Sequence, residues 1–116
     1  MQYPKVSVIV LNYNGKKFIA NCLRSLLSTK YPNFEVLFLD NASKDGSREY
    51  LKAKIEALGL SSFKFIPLDQ NYGFAKGNNI GIALSDPKSE LIALLNNDTK
   101  VRPDLVRKVS RLCAKT

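Results

Sequence analysis

Two rhythms of hydrophobic and polar positions alternate along the chain. Residues 6–11 (Val-Ser-Val-Ile-Val-Leu) form a β-branched run that stops at Asn12-Tyr13-Asn14-Gly15, which predicts a strand followed by a turn. Phe18, Ile19, Cys22, Leu23, Leu26 and Leu27 then recur at helical spacing, with polar Lys17, Asn21, Arg24 and Ser25 between them. Tyr31-Pro32-Asn33 interrupts, and residues 34–39 form a second apolar run ending in Asp40-Asn41-Ala42-Ser43-Lys44-Asp45-Gly46-Ser47. Tyr50, Leu51, Ile55 and Leu58 mark a second helix. Glu49 sits in its first turn, where a carboxylate suits the dipole, and Gly59 closes it. Residues 63–68 predict a third strand, followed by Asp69-Gln70-Asn71-Tyr72-Gly73 and a small-residue helix over 74–84 carrying Ile80, Ala83 and Leu84. Residues 91–95 predict a fourth strand that ends in Asn96-Asn97-Asp98-Thr99. A last helix starts near Pro103, a favoured first-turn proline, and presents Leu105, Val106, Val109, Leu112 and Cys113 to the core.

Apolar strands alternating with amphipathic helices imply an α/β fold. The expected form is a Rossmann-like parallel sheet of about four strands with helices on both faces, joined by right-handed crossovers. In such sheets the ligand crevice lies beyond the carboxyl ends of the strands. Every strand here leaves its polar, turn-forming residues at that end. Four loops of Asn, Asp and Gly therefore converge, in a chain without histidine. That chemistry suits a polar ligand held by hydrogen bonds, with a hard, oxygen-seeking cation.

Composition sets bounds on partners. The chain has 116 residues, 45% hydrophobic and 24% charged, which is one domain of modest size. Eighteen Lys and Arg against ten Asp and Glu give a net charge of +8. The excess admits anionic partners, but the positive charges are scattered over helical stretches, and no dense basic run points to nucleic acid. Cys22 and Cys113 lie far apart on the apolar faces of two helices and read as small core residues rather than a zinc or redox pair. The first apolar run is too short for a signal peptide or a membrane span, so a cytoplasmic, soluble protein is expected.

The turn after the first strand, Asn12-Tyr13-Asn14-Gly15-Lys16-Lys17, lacks the spaced glycines of a dinucleotide fingerprint, and no Ser or Thr follows a Gly-Lys pair as a P-loop requires. Hydride transfer and P-loop phosphoryl transfer are disfavoured.

Four segments carry a resemblance to a known family. They are Val6-Ser7-Val8-Ile9-Val10-Leu11-Asn12-Tyr13-Asn14-Gly15, Leu39-Asp40-Asn41-Ala42-Ser43-Lys44-Asp45-Gly46-Ser47, Asn71-Tyr72-Gly73-Phe74-Ala75-Lys76-Gly77-Asn78-Asn79-Ile80-Gly81, and Leu94-Leu95-Asn96-Asn97-Asp98-Thr99. In this order and spacing the chain resembles the N-terminal, nucleotide-sugar-binding part of a family 2 glycosyltransferase with the GT-A fold. The last two segments look most like the rhamnosyltransferase branch.

The resemblance implies roles for particular residues. Leu11, Asn12 and Tyr13 would form the rim that receives base and ribose, with the Tyr13 ring as a stacking face; the structural alternative is a self-bonded turn packed on the next helix. Asp40 would accept a hydrogen bond from the N–H of a uracil or thymine ring, or else serve its own loop as a turn or cap. Asn71, Gly73 and Gly77 open a helix whose free N–H groups favour an anion, while Gly77 and Gly81 also suit tight helix-on-sheet packing. Asn96-Asn97-Asp98 occupies the place of the family's Asp-x-Asp segment. Asp98 would hold Mg²⁺ or Mn²⁺ across the donor's two phosphates, whereas Asn96 is a poorer ligand suited to a ribose hydroxyl.

The implied reaction is inverting transfer from a UDP- or dTDP-linked sugar to a glycan or glycolipid acceptor. In the family the catalytic base lies well downstream of the Asp-x-Asp segment, so none is assigned in residues 1–116. The domain is expected to be truncated before the acceptor half and inactive alone, with an uncovered sheet edge or face open to self-association. A non-catalytic interaction module of the same fold, and a nucleotidyltransferase, remain alternatives.

Overall fold

The computed structural model describes residues 3–99 and 102–108. Its elements run β1 (Val6–Asn12), α1 (Ile19–Leu27), β2 (Phe34–Asp40), α2 (Ser47–Leu58), β3 (Phe63–Pro67), α3 (Phe74–Leu84) and β4 (Leu91–Asn96). Residues 105–108 begin the expected last helix, and its Val109, Leu112 and Cys113 lie outside the described residues.

The strands form one parallel sheet in the order β3-β2-β1-β4. The register follows from the side-chain period of two, which sends alternate residues to opposite faces. On one face Val6, Val8 and Val10 of β1 and Val36 and Phe38 of β2 pack with Ile19, Cys22, Leu23 and Leu26 of α1 and Leu51 and Ile55 of α2. On the other, Ile9, Leu37 and Leu39 form a smaller core with Ile80 of α3. Helices therefore cover both faces, as the alternating pattern predicts.

Three details differ from the sequence reading. Phe18, expected on the apolar face of the first helix, precedes it and is half exposed, because the helix begins only at Ile19. Leu27 ends the helix and is also partly exposed. In β4 only Leu91, Ala93 and Leu95 face the larger core. Ile92 and Leu94 stay 42% and 48% exposed, because α3 packs mainly on β1 and β2.

The direction of winding reverses at β1. The chain moves from β1 outward to β2 and β3, then returns through α3, on the opposite face from α1, to place β4 on the other side of β1. In open parallel sheets the ligand crevice lies beyond the carboxyl ends of the strands, where the strand order reverses. Here the order reverses between β1 and β4.

Candidate functional site

A pocket of about 380 Å³ occupies the crevice. Leu11 and Tyr13 line it from the end of β1, Asn41 from the end of β2, Asn71, Gly73 and Phe74 from the entry to α3, and Asn96, Asn97 and Asp98 from the end of β4. Seven sequence-nominated residues are thereby brought together: Leu11, Tyr13, Asn71, Gly73, Asn96, Asn97 and Asp98.

Asn12, Asp40 and Gly77 stand behind the wall, and strand register explains why. Leu11 pairs with Leu39 and with Asn96, so these share the α3 face, while Asn12 pairs with Asp40 on the opposite face. Both Asn12 and Asp40 are fully buried. The Asp40 carboxylate accepts from Asn12 Nδ2 at 2.9 Å, the Ser43 hydroxyl at 2.7 Å and the Ser43 amide at 2.9 Å, with Arg48 Nη1 at 3.5 Å. Its acceptor positions face donors of its own loop, of β1 and of α2. Gly77 is where α3 lies flat on the sheet: a Cβ there would meet Leu11 Cδ2 at 2.8 Å.

Asn41 and Phe74 line the pocket and were not singled out by sequence reasoning. The signal for Asn41 was parity, since it continues the Leu37-Leu39 face past the strand end, where its amide extends the ladder by donating to the Asn12 carbonyl at 2.8 Å. Its side chain then ties the opposite rim. Oδ1 accepts from the Tyr72 amide at 3.0 Å, and Nδ2 donates to the Gly73 carbonyl at 3.1 Å. Asn71 accepts from the Gly73 amide at 2.9 Å, and Gly73 itself has φ +83°, a conformation that favours glycine. These bonds hold the approach to α3 open, with the Phe74 ring 65% exposed at its first residue.

The second loop is bound to the first by another polar set. Asp45 accepts from the Ser47 hydroxyl at 2.6 Å and from the Lys16 amide at 3.0 Å, and Lys44 donates its amide to Asn14 Oδ1 at 2.8 Å. Burial pushes the Asp45 carboxyl up, but the hydrogen bonds from Ser47 and Lys16 outweigh it and hold the group below the ordinary carboxylate value. Asn14 and Ala42 both adopt left-handed backbone, at φ 51° and 62°. Ala42 in that conformation folds Ser43 back onto Asp40.

The Asp98 carboxylate is exposed at the pocket edge. Beneath it, Cys22 is fully buried and its thiol is pushed up to about 11, by burial first and by the charge of Asp98 second. It is therefore an inert core residue. Among the described residues no group of three or more His, Cys, Asp or Glu comes together, and no helix is long and apolar enough to cross a membrane.

Comparison with known proteins agrees with this arrangement. TuaG of Bacillus subtilis, a glycosyltransferase assigned provisionally by its name to teichuronic acid biosynthesis, is 30% identical over 96% of this chain and 44% of its own length. Glycosyltransferase AglE of Haloferax volcanii is 33% identical over 82% of this chain and 31% of its own. The chain thus spans less than half of these relatives. Among solved structures, S. aureus TarS in complex with UDP-GlcNAc superimposes with a TM-score of 0.81 at 24% identity, covering 96% of this chain and 31% of TarS. The mannosyltransferase PcManGT of Pyrobaculum calidifontis, in complex with GDP-Man and Mn²⁺, gives 0.83 at 24% identity, covering 96% of this chain and 33% of its own. These place the fold as the N-terminal part of GT-A. The sequence model of Glycosyl transferase family 2 matches residues 7–115, essentially the whole chain, and the protein belongs to that family.

Proposed function

We propose that this chain is the donor-binding portion of an inverting glycosyltransferase, which takes a nucleoside diphosphate sugar and acts on a glycan or glycolipid acceptor through residues that lie outside positions 1–116. One observation carries the reading: the four strand-end loops meet in a single open pocket whose lining combines exposed rings, amide groups and the exposed carboxylate of Asp98. Packing alone requires none of these groups to stay exposed. An interaction module that had lost its ligand has no need of them.

Within the pocket, Tyr13 and Phe74 offer faces for a base, and Asn96 and Asn97 offer amide groups for ribose and phosphate oxygens. Asp40 acts from behind, through the loop it holds, rather than on the base edge. A single carboxylate fits Mg²⁺ or Mn²⁺, because such ions keep several waters and take further ligands from substrate phosphates. Asp98 is the residue that would hold the ion, which would supply charge neutralisation for the leaving nucleoside diphosphate. The ligands named for the solved neighbours, UDP-GlcNAc and GDP-Man with Mn²⁺, support this class of donor. UDP and dTDP are the favoured nucleotides. The uncovered outer face of β4 supports self-association of the chain on its own.

Calorimetric titration with UDP, dTDP and GDP, each with and without Mn²⁺, tests the reading. Binding that strengthens with Mn²⁺ in the parent chain but not in Asp98→Asn is the expected result. A well-folded chain that binds none of the three would sink it.

A further inference from the structure

Behind the pocket, the direction of each hydrogen bond is determined by the one before it. Asp40 is buried and, when ionised, can only accept. The Ser43 hydroxyl gives its proton to Asp40 at 2.7 Å, so it can only accept from Asn12 Nδ2 at 3.3 Å and from the Asn14 amide at 2.9 Å. The Ser47 hydroxyl gives its proton to Asp45 at 2.6 Å, so it too accepts from Asn12 Nδ2, at 2.9 Å. Three acceptors surround that nitrogen, and the Asn12 amide has one orientation.

Its oxygen therefore faces the β4 loop, where Asn97 Nδ2 donates to it at 2.9 Å. A side chain at residue 97 must supply a donor there. An aspartate of the same shape would set oxygen against oxygen. Space at the contact is equally constrained: a Cβ on Gly15 would lie 1.9 Å from Asn97 Nδ2 and 2.4 Å from Asn12 Oδ1. The turn that carries Asn97 is closed by the Thr99 amide on the Asn96 carbonyl at 3.1 Å, and Asn96 and Asp98 on either side of Asn97 are exposed.

We infer that Asn97 is a positioning residue: buried Asp40, acting through the fixed amide of Asn12, sets the polarity of one hydrogen bond that anchors the turn and presents Asp98 to a cation bound with a diphosphate. This deepens the proposed function and rests on it. The middle position of the Asn-Asn-Asp segment is thus specified by what lies behind it as well as by the ligand in front.

The test exploits a conflict between charge and polarity. A second carboxylate beside Asp98 strengthens cation binding if charge alone matters, whereas the relay requires Asn97→Asp to weaken it. UDP and GDP are titrated with and without Mn²⁺ into the parent chain, Asn97→Asp, Asn97→Ala and Asp98→Asn, each checked for folding by circular dichroism. Amide hydrogen exchange at Thr99, whose bond closes the turn, is measured in the same chains without metal or nucleotide. The expected result is faster exchange in both Asn97 variants and a fall of about tenfold in the Mn²⁺-dependent gain in affinity, the scale of one lost hydrogen bond. An unchanged or larger gain in Asn97→Asp, with exchange at Thr99 unaltered, overturns the proposal. If the parent chain binds neither nucleotide, the reading of the pocket fails separately and the claim about a cation falls with it. Exchange then decides the anchor alone: faster in both variants upholds it, unaltered rejects it.

Discussion

Gly77 lies so close beneath Leu11 that a methyl group on it would sit 2.8 and 2.9 Å from the two δ carbons of Leu11, and 3.3 Å from Asn41 Nδ2. One helical turn later Gly81 stands in the same relation to the core, with a Cβ there 2.6 Å from Ile9 Cγ2 and 3.1 Å from Leu39 Cδ1. The helix rests on the sheet at two points, one under the pocket and one away from it. Alanine improves helix propensity by about 1 kcal/mol, but overpacking of this kind costs about 1–3 kcal/mol. Gly81→Ala is expected to lower unfolding free energy in urea and leave nucleotide affinity alone. Gly77→Ala is expected to lower both, since Leu11 and Asn41 line the pocket. Equal binding by the two variants in calorimetry would separate Gly77 from the site.

The exposed rings give the converse separation. Tyr13 and Phe74 are 48% and 65% exposed, so truncating either removes little from the core. Tyr13→Ala and Phe74→Ala are expected to change stability by no more than about 0.5 kcal/mol. If they stack on a base, each weakens nucleotide binding by about 1–3 kcal/mol, roughly fivefold to more than a hundredfold. Unaltered affinity in both would remove the stacking face from the proposal.

Comparing these residues shows what the sequence could convey. The strand-helix alternation was legible because parallel strands and amphipathic helices have different periods, and the location of the pocket followed from the parallel sheet. Less legible was which residue of each loop faces it. The family resemblance implied ligand contacts for Asn12 and Asp40, with a turn or cap as the alternative, and register places both on the α1 and α2 face, among Ser43, Ser47 and Arg48. Asn41, one residue on, has the parity of Leu37 and Leu39 and so meets the pocket. Counting by twos from the apolar core would have distinguished them. The exposure of Phe74 had no such signal, because an aromatic residue opening a helix ordinarily reads as core.

At the amino ends of the strands, away from the pocket, Glu35 is buried and accepts from the Ser7 hydroxyl at 2.6 Å, the Asp86 amide at 2.7 Å and Lys64 Nζ at 3.1 Å. Burial alone would raise its carboxyl, but the Asp86 amide, Ser7 and Lys64 prevail and hold it below its ordinary value of 4.5. A carboxyl with a depressed folded value stabilises the fold above its unfolded value, and that contribution disappears as pH falls through the folded one. Thermal melts from about pH 7 down to pH 3 should therefore show stability falling in the acid limb. Glu35→Gln should flatten that limb and cost about 1–3 kcal/mol near neutrality, because an amide cannot accept from all three donors. An acid limb of undiminished slope in Glu35→Gln would assign the loss to other carboxylates, Asp45 and Asp86 foremost, both of which are also lowered.

The edge strand β4 leaves Ile92 and Leu94 exposed on the face that carries α3, beside the helix, and Leu84 at the end of α3 is 52% exposed. Among the described residues no strand pairs with its free side. An unpaired parallel edge flanked by β-branched and leucine side chains is a template for another strand, and the apolar face beside it adds a hydrophobic driving force. Light scattering of this chain should accordingly show mass rising with concentration. Substituting Ile92→Lys together with Leu94→Glu places charges on the edge, opposing pairing, while Leu91, Ala93 and Leu95 continue to fill the core face. The double variant should melt cooperatively as a monomer at concentrations where the parent associates. If it associates as strongly as the parent, the contact lies elsewhere, and the free edge of β3 becomes the surface to block next.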